Sequence, residues 1–528
     1  MLVKKLRKLC LKLLKKIKIS SLFTFVFLTL ALIIYYVSKY INESFYNITV
    51  DQLIYSLQSA EGTSQTIFIA GAKYVLKRMI PIYLIILIII IIFKLLIKNK
   101  TYLVINIKNK NFKFSIYPIS KIIRVLFTFI LLILSVRYVY VEFNLENYLN
   151  PNRKTQFFEV YYTDPKNIKL TAPKEKRNLI YIYVESLETS LFSNKSGGNF
   201  NESVIPNLER LAKNNINFSQ NDKLGGGNAL YGSTWTVAAM VSSSAGVPLK
   251  VPIDGNMYSG YGEFLPGVYS LGEILEDNGY KNYLMIGSDA NFGGRKDYFT
   301  YHGDYEIKDY SYAKEKGYID GDYYVWWGYE DGKLFDFAKD ELTEIAKEDK
   351  TFNFTMLTTD THFTDGYVED FCDTPFDYKY LNAYNCSDSM IGEFISWIQD
   401  QDFYKDTTIV ITGDHLSMQA NISSMFDSDN YDRNVYNVYI NSAIESKNTN
   451  NRKFTTFDYY PTTLAALGFE IDGNRLGLGT NLFSERQTLA EEIGIDKLDD
   501  ELSKNSKYYN NRLLGDSYKE LKKAVSSE

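Results

Sequence analysis

Residues 407–415 read TTIVITGDH. An apolar run rich in Thr, Ile and Val stops at a glycine, and an aspartate and a histidine follow at once. β-Branched residues favour extended backbone, and a short apolar run closed by a turn residue reads as a buried strand. The chain has 528 residues and only three histidines, so Asp414–His415 at a strand exit is a local signal worth following. Three other segments have the same form: RNLIYIYVES (177–186) ends near Glu185, KNYLMIGSD (281–289) is followed by Arg295, and TFNFTMLTTDTH (351–362) ends on His362.

Between these runs, apolar residues recur at three- and four-residue spacing. The segments are IPNLERLAKNN (205–215), SLGEILEDNGY (270–280), GKLFDFAKDELTEIAKE (332–348) and SMIGEFISWIQDQ (389–401). Strands alternating with amphipathic helices predict an α/β domain with a mostly parallel sheet flanked by helices. Such sheets bind ligands beyond the carboxyl ends of their strands. Glu185, Arg295, His362, Asp414 and His415 all fall at or just after predicted exits, where a metal or phosphate site would be built. Each alone reads equally as a helix cap or a turn residue; their recurrence at four exits points to a site.

A further stretch, GGGNALYGSTWTVAAMVSSSAGVPL (225–249), sets a glycine-rich loop before a helix of small residues that stops at Gly246. Ser233, Thr234 and Thr236 offer hydroxyls at the helix start. Helix N-termini favour negative charge and present free N–H groups, although Ser and Thr also serve there as ordinary caps.

The first part of the chain has another character. Three apolar runs, 21–41, 79–97 and 121–141, approach the ~20 residues a helix needs to cross a bilayer. The first 18 residues carry eight basic side chains and no acid, and the loop at 98–121 is rich in Lys with no acid. By the positive-inside rule both face the cytoplasm, which puts everything after about residue 142 outside. The expected layout is a basic cytoplasmic N-terminus (1–20), a membrane domain of three transmembrane helices (21–141), a linker (142–176), an extracytoplasmic catalytic domain (177–486) and a polar helical tail (487–528). Net charge is -5 overall, so the part beyond residue 18 is acidic. No broad basic face for nucleic acid is implied. An anionic substrate would need local positive charge, from a metal or an arginine. Cys372 and Cys386 lie close in sequence, without a zinc-type spacing. They can pair as a disulfide or stay free, and a location outside the cytoplasm favours the pair.

NLIYIYVESLETSLF, GSTWTVAAMVSSSAGVPLKVPIDGN, LGEILEDNGYKNYLMIGSDANFGGRKDYFTYHG, TTDTHFTDGY, ITGDHLSM and LGLG together resemble the phosphoglycerol transferase I family. These are membrane enzymes that modify periplasmic glucans, relatives of lipoteichoic acid synthase within the alkaline phosphatase/sulfatase superfamily. The resemblance runs in order from about 177 to 483. It implies an alkaline phosphatase/sulfatase-like α/β fold and one divalent cation held by Glu185, Asp414, His415 and the nucleophile. The ligand set suits Mn²⁺ best, with Mg²⁺ and Zn²⁺ as alternatives. It implies a nucleophilic threonine within GSTWT: Thr236 by its distance from Gly246, with Thr234 the rival and Ser233 a third candidate. Arg295 is similar to the family's substrate-binding arginine. His362 is similar to the histidine that contacts phosphate or moves a proton.

The activity implied is transfer of glycerophosphate from phosphatidylglycerol, through a covalent threonine intermediate, to a glycan or glycerol-phosphate acceptor at a cytoplasmic (inner) membrane. Phosphoethanolamine transfer on the same fold is the alternative enzyme, and a non-catalytic glycan- or lipid-binding receptor the alternative class. Two departures matter. The histidine that follows the Asp-His pair in lipoteichoic acid synthases is absent from DHLSMQAN, which favours the glucan-type branch, and the Cys-x-Pro-Ser-Arg pattern of sulfatases is missing near the nucleophile.

Overall fold

The computed structural model describes residues 19–45, 48–58, 65–96, 102–107, 110–150, 152–250, 263–348, 350–426, 431–446 and 448–515. The chain forms two compact units, one of residues 1–45 and 64–149, the other of 46–63 and 150–528.

The first unit is built on three long helices, α1 (Ile19–Ser44), α3 (Gln65–Leu96) and α4 (Ile116–Glu142). An antiparallel hairpin, Tyr102–Ile107 with Lys110–Ser115, joins the last two. α1 and α4 pack through Phe27 on Phe129 and Tyr35 on Tyr138, and Asn42 donates to Glu142 at 2.6 Å. Their other faces expose Leu22, Phe25, Ile122, Phe127 and Ile133, which suits lipid better than water. Among the described residues, two helices are long and apolar enough to cross a membrane, Ser21–Ser44 and Ile122–Glu142. This is one fewer than the three spans expected. The expected span at 79–97 falls on α3, but residue 97 and the side chains at 87 and 90–96 lie outside the described residues. The basic N-terminus, 1–18, lies outside them too.

In the second unit the four strand-like segments all form strands: β1 (Asn178–Val184), β3 (Lys281–Ile286), β5 (Phe352–Leu357) and β6 (Thr407–Gly413). Three more complete the sheet: β2 (Gly226–Gly227), β4 (Glu306–Lys308) and β7 (Val435–Ile440). The order is β2-β7-β6-β1-β5-β3-β4. The five strands from β6 to β4 are mutually parallel, and β7 runs antiparallel to β6 on one side.

Side-chain alternation explains why the central runs are apolar throughout. Leu179, Tyr181 and Tyr183 of β1 enter one core, while Ile180, Ile182 and Val184 enter the other. A strand buried on both faces loses the polar-out signature of a solvated sheet. β7 escaped notice because Asn437 interrupts its apolar run. That residue is fully buried, and its amide accepts from Phe218 N–H and donates to the Phe218 carbonyl.

Helices cover both faces: α5 (Pro206–Asn214), α6 (Thr236–Ala245), α7 (Leu271–Asp277), α9 (Asp331–Ile345) and α10 (Lys379–Gln399). α7 starts in a capping box between Ser270 and Glu273. A seven-residue helix, α8 (Arg295–Tyr301), follows two consecutive left-handed glycines, Gly293 and Gly294 (φ 69° and 68°), a bend that side-chained residues resist. Cys372 and Cys386 form a disulfide tying the loop before α10 to that helix.

Two segments set apart in the sequence are built into this unit. Leu489, Leu498, Leu502, Tyr509 and Leu513, from the region read as a polar tail, are buried in the same core as β1, as are Phe157 and Phe158 of the region read as a linker. The loop after the first span contributes a helix, α2 (Val50–Gln58). Its Asp51 accepts a hydrogen bond from Tyr231, Gln52 contacts Met418, and Ile54 packs on the core.

Candidate metal and nucleophile site

The site lies where β1 and β6, adjacent and parallel, end together: Gly413 pairs with Val184, so Asp414 and Glu185 leave the sheet side by side. Asp414 Oδ1 accepts from the backbone N–H groups of Ser186 (2.6 Å) and His415 (2.7 Å). That locks the carboxylate and leaves Oδ2 buried with no hydrogen-bond partner. The Nδ1–H of His415 donates to the Leu416 carbonyl (2.8 Å). Because a carbonyl can only accept, this fixes the tautomer and turns an unprotonated Nε2 inward. Nε2 lies 3.3 Å from Asp414 Oδ2 and 3.5 Å from Glu185 Oε1.

Glu185 is held by the Ser186 hydroxyl, which donates to Oε1 (2.7 Å), and by its own N–H, which donates to Thr358 Oγ (3.1 Å). The Thr361 hydroxyl donates to its carbonyl (2.6 Å). Ser186 itself sits at φ 56°, a left-handed conformation that the surrounding bonds must sustain.

Thr236, the first residue of α6, brings its hydroxyl to 3.3 Å from Glu185 Oε2 and 3.5 Å from His415 Nε2. The alternatives point elsewhere. The Ser233 hydroxyl donates to the Leu230 carbonyl (2.7 Å) and accepts from Leu230 N–H, closing the turn before the helix. The Thr234 hydroxyl is buried without a partner, and no contact brings it to the carboxylates among the described residues.

The electrostatics follow from packing two acids and two imidazoles out of water. Burial, then repulsion from Glu185, pushes Asp414 up. Burial also acts to raise Glu185, but His362, His415 and the Ser186 hydroxyl hold it below the usual carboxylate range. His415 is raised, because Asp414 and Glu185 outweigh its burial. His362 is lowered by burial, with His415 and Arg295 adding and Glu185 opposing. Its Nδ1–H donates to the Phe363 carbonyl (2.7 Å), so Nε2 is its free nitrogen. Arg295 is buried and donates from Nη2 to Ser288 Oγ (3.2 Å) and the Asp289 carbonyl (2.8 Å).

Glu185, Asp414 and His415 form the one group of acids, histidines or cysteines among the described residues whose ligand atoms fall within 4.8 Å of one another. A divalent cation fits it. An orphaned carboxylate oxygen, a second carboxylate and an inward-facing imidazole nitrogen converge without a positive counter-charge, and buried anions require one. The third histidine is structural: both ring nitrogens of His302 are engaged, by Glu273 and by the Phe264 carbonyl.

Two features at the site had no sequence signal. Glu188, three residues after Glu185, is equally buried but is neutralised by Arg433 through Nε (2.8 Å) and Nη2 (2.6 Å). Trp327 packs its ring on His362, with centroids 4.4 Å apart.

The Sulfatase family model matches residues 177–469. Among curated proteins, the chain is 33% identical over 341 residues to phosphoglycerol transferase I of Salmonella choleraesuis (strain SC-B67), covering 63% of this chain and 42% of that protein. It thus spans less than half the length of the curated relatives it matches. Among solved structures, lipoteichoic acid synthase LtaP from Listeria monocytogenes is 20% identical with a TM-score of 0.46, over 60% of this chain and 79% of that one. Streptococcus pyogenes phosphoglycerol transferase GacH, solved in complex with sn-glycerol-1-phosphate, is 14% identical with a TM-score of 0.41, over 69% and 98%. The family model covers more than half of the chain, and its span begins before the first strand of the sheet and contains every residue of the site: the protein belongs to the Sulfatase family.

Proposed function

We propose that the protein is a membrane-anchored, metal-dependent phosphoglycerol transferase. It moves glycerophosphate from phosphatidylglycerol to a hydroxyl of a glycan or glycerol-phosphate acceptor outside the cytoplasmic membrane. The observation that carries this reading is the convergence on His415 Nε2, within 3.5 Å, of Thr236 Oγ, Glu185 Oε1 and the unpartnered Oδ2 of Asp414. Support for the donor and the acceptor comes from the curated relatives named phosphoglycerol transferase I. The Cys372–Cys386 disulfide supports an oxidising compartment for the catalytic unit.

Glu185, Asp414, His415 and the Thr236 oxygen would hold the cation, for which Mn²⁺ is the first choice. When bound, it lowers the pKa of a hydroxyl and offsets phosphate charge. Thr236 Oγ forms a bond to the donor phosphorus, and the bond from phosphorus to the diacylglycerol oxygen breaks. His362 Nε2 takes up the Thr236 proton and delivers it to the departing diacylglycerol oxygen, which leaves Nε2 unprotonated again. Nε2 then accepts the proton of the incoming acceptor hydroxyl, whose oxygen bonds to phosphorus as the bond to Thr236 breaks, and returns that proton to the Thr236 oxygen. A histidine whose Nδ1–H is tied to a carbonyl works through one nitrogen only, which suits a group that acts as base and then as acid in each half. Arg295 binds the phosphate or the glycerol headgroup.

The test is mass spectrometry of the purified full-length chain incubated with phosphatidylglycerol and Mn²⁺. A glycerophosphate adduct is expected on Thr236. An adduct formed from phosphatidylethanolamine instead would replace the donor, and one on Ser233 or Thr234 would replace the nucleophile. No adduct on any of the three, with either lipid, would overturn the covalent mechanism.

A further inference from the structure

Resting on the role just given to His362, we propose that Trp327 is a positioning residue. Its indole, presented by a strained two-residue turn, fixes the plane of the His362 imidazole.

The need for such a group follows from geometry. The hydrogen bond from Nδ1 to the Phe363 carbonyl sets which nitrogen is free, but one bond leaves the ring able to swing about it. A second contact, on the face of the ring, removes that freedom. Trp327 supplies it: its centroid is 4.4 Å from that of His362, with the planes inclined by 57°. The indole is itself held. Phe292 packs on it at 5.4 Å, and only 7% of Trp327 is exposed. Phe292 in turn lies under the Arg295 guanidinium at 5.3 Å, so the imidazole and the arginine are braced by one aromatic stack.

The turn that delivers Trp327 is built for a fixed aim. Val325 N–H donates to the Gly328 carbonyl (2.8 Å) and Gly328 N–H to the Val325 carbonyl (3.0 Å), leaving Trp326 and Trp327 as the two central residues. Trp326 adopts φ 59°, where a bulky side chain is an outlier. Its indole N–H is buried with no partner among the described residues. The strain is sustained by anchoring to the end of β3. Gly328 bridges Ser288, and a Cβ on Gly328 would stand 2.1 Å from the Gly287 carbonyl oxygen. Tyr329 N–H donates to that same carbonyl (2.9 Å), and the Tyr323 hydroxyl donates to Glu330 (2.7 Å). A loop that only joined β4 to α9 would have no use for a left-handed tryptophan followed by a second tryptophan on the candidate acid–base residue.

The experiment uses the full-length chain carrying ¹³Cε1-labelled histidine, and the variants Trp327→Ala, Trp327→Phe and His362→Gln. With three histidines in the chain, the His362 resonance is the one lost in His362→Gln. In Trp327→Ala that resonance is expected to shift. The turnover number is expected to fall about 10–100-fold, the scale of a misplaced catalytic group, while KM for phosphatidylglycerol stays within about threefold. Trp327→Phe keeps a ring on the imidazole and is expected to recover most of the loss. Should Trp327→Ala fail to accumulate, Trp327→Leu takes its place with the same readouts, since it keeps bulk without a ring. If His362→Gln abolishes turnover yet Trp327→Ala keeps the parent resonance and turnover number, positioning is overturned. So is it if KM rises while the turnover number holds. If His362→Gln itself turns over normally, the role of His362 fails, and the proposal falls with it for a distinguishable reason.

Discussion

Two groups of buried acids sit at neighbouring strand exits of one sheet and find different partners. At the ends of β1 and β6, Glu185 and Asp414 meet an imidazole nitrogen and a hydroxyl, and one carboxylate oxygen is left without a partner. After β5, Asp331, Asp360 and Glu369 gather instead around backbone N–H groups. Asp331 accepts from Thr359 (2.7 Å) and Asp360 (2.9 Å), Asp360 accepts from Asp331 (3.1 Å), and Glu369 accepts from Gly332 (2.6 Å). Here burial pushes Asp331 up to about 7 and Asp360 well above the carboxylate range, each with a neighbouring acid adding to the effect. The second group directs its carboxylates at backbone N–H groups and so staples the loop that leads to His362. The first offers a set of lone pairs that a cation satisfies better than protons do. Acid content alone therefore does not mark a metal site, nor does an orphaned oxygen, since Asp360 Oδ1 in the second group is also buried without a hydrogen-bond partner; the convergent imidazole nitrogen sets the first group apart.

The largest test of this contrast is catalytic. Thr236→Ala and Asp414→Asn are expected to lower turnover by on the order of 10⁴-fold or more, the scale seen when a nucleophile or its activating group is removed. Asp331→Asn should keep turnover within about tenfold while lowering the melting temperature, because a buried hydrogen-bonding group is changed. Steady-state kinetics and a melt on the same preparations check both. Comparable catalytic losses in the two sets would erase the distinction.

The next largest is metal linkage. Mn²⁺ at about 100 times its Kd should stabilise the parent by about 2.7 kcal/mol, read as a rise in Tm that a chelator reverses. Glu185→Gln and Asp414→Asn should lose that rise, and Asp360→Asn should keep it.

The third concerns pH. Asp331 has a folded pKa raised to about 7 by burial, above the unfolded value of about 3.9. Its contribution to stability is therefore full below about pH 4 and is lost as pH rises through about 7. In chelated protein, the Tm difference between the parent and Asp331→Asn should narrow across that window. A difference that is flat or widens with pH would show that Asp331 is not the proton holder.

The smallest effect expected at the site itself is that of the Cys372–Cys386 disulfide, which closes the loop just after Glu369. Replacing both cysteines by serine should cost about 3 kcal/mol, as for a loop of roughly 15 residues, with metal response unchanged. Loss of the response would tie the loop to the first group of acids rather than the second.

Much of this was legible in the sequence, for a physical reason. Strands buried on both faces read as unbroken apolar runs, and a run must stop where the sheet meets the site, so Glu185, His362, Asp414 and His415 announced themselves by position. What was not legible depends on partners far along the chain. Glu185 and Glu188 look alike until Arg433 is seen to claim one of them. Nothing local ties Trp327 to His362. β7 hid behind Asn437, and the apolar positions of the last segment were too sparse to reveal that Leu489, Leu498 and Leu502 enter the core. In the loop of Ser233, Thr234 and Thr236 spacing alone left three hydroxyls open, and the resemblance favoured Thr236, the one whose hydroxyl lies 3.3 Å from Glu185.

The helix Val50–Gln58 has a consequence for how the chain is made. It belongs to the second unit, yet it is synthesised ahead of α3, the hairpin and α4. The second unit is thus discontinuous in sequence, with two long apolar helices spliced into it. A ribosome delivers Asp51 about 180 residues before Tyr231, the hydroxyl that binds it, and about 440 before the core leucines Leu489 and Leu498. The early helix has to wait for most of the protein to be delivered before it can dock. A fragment begun at residue 150 would never receive it.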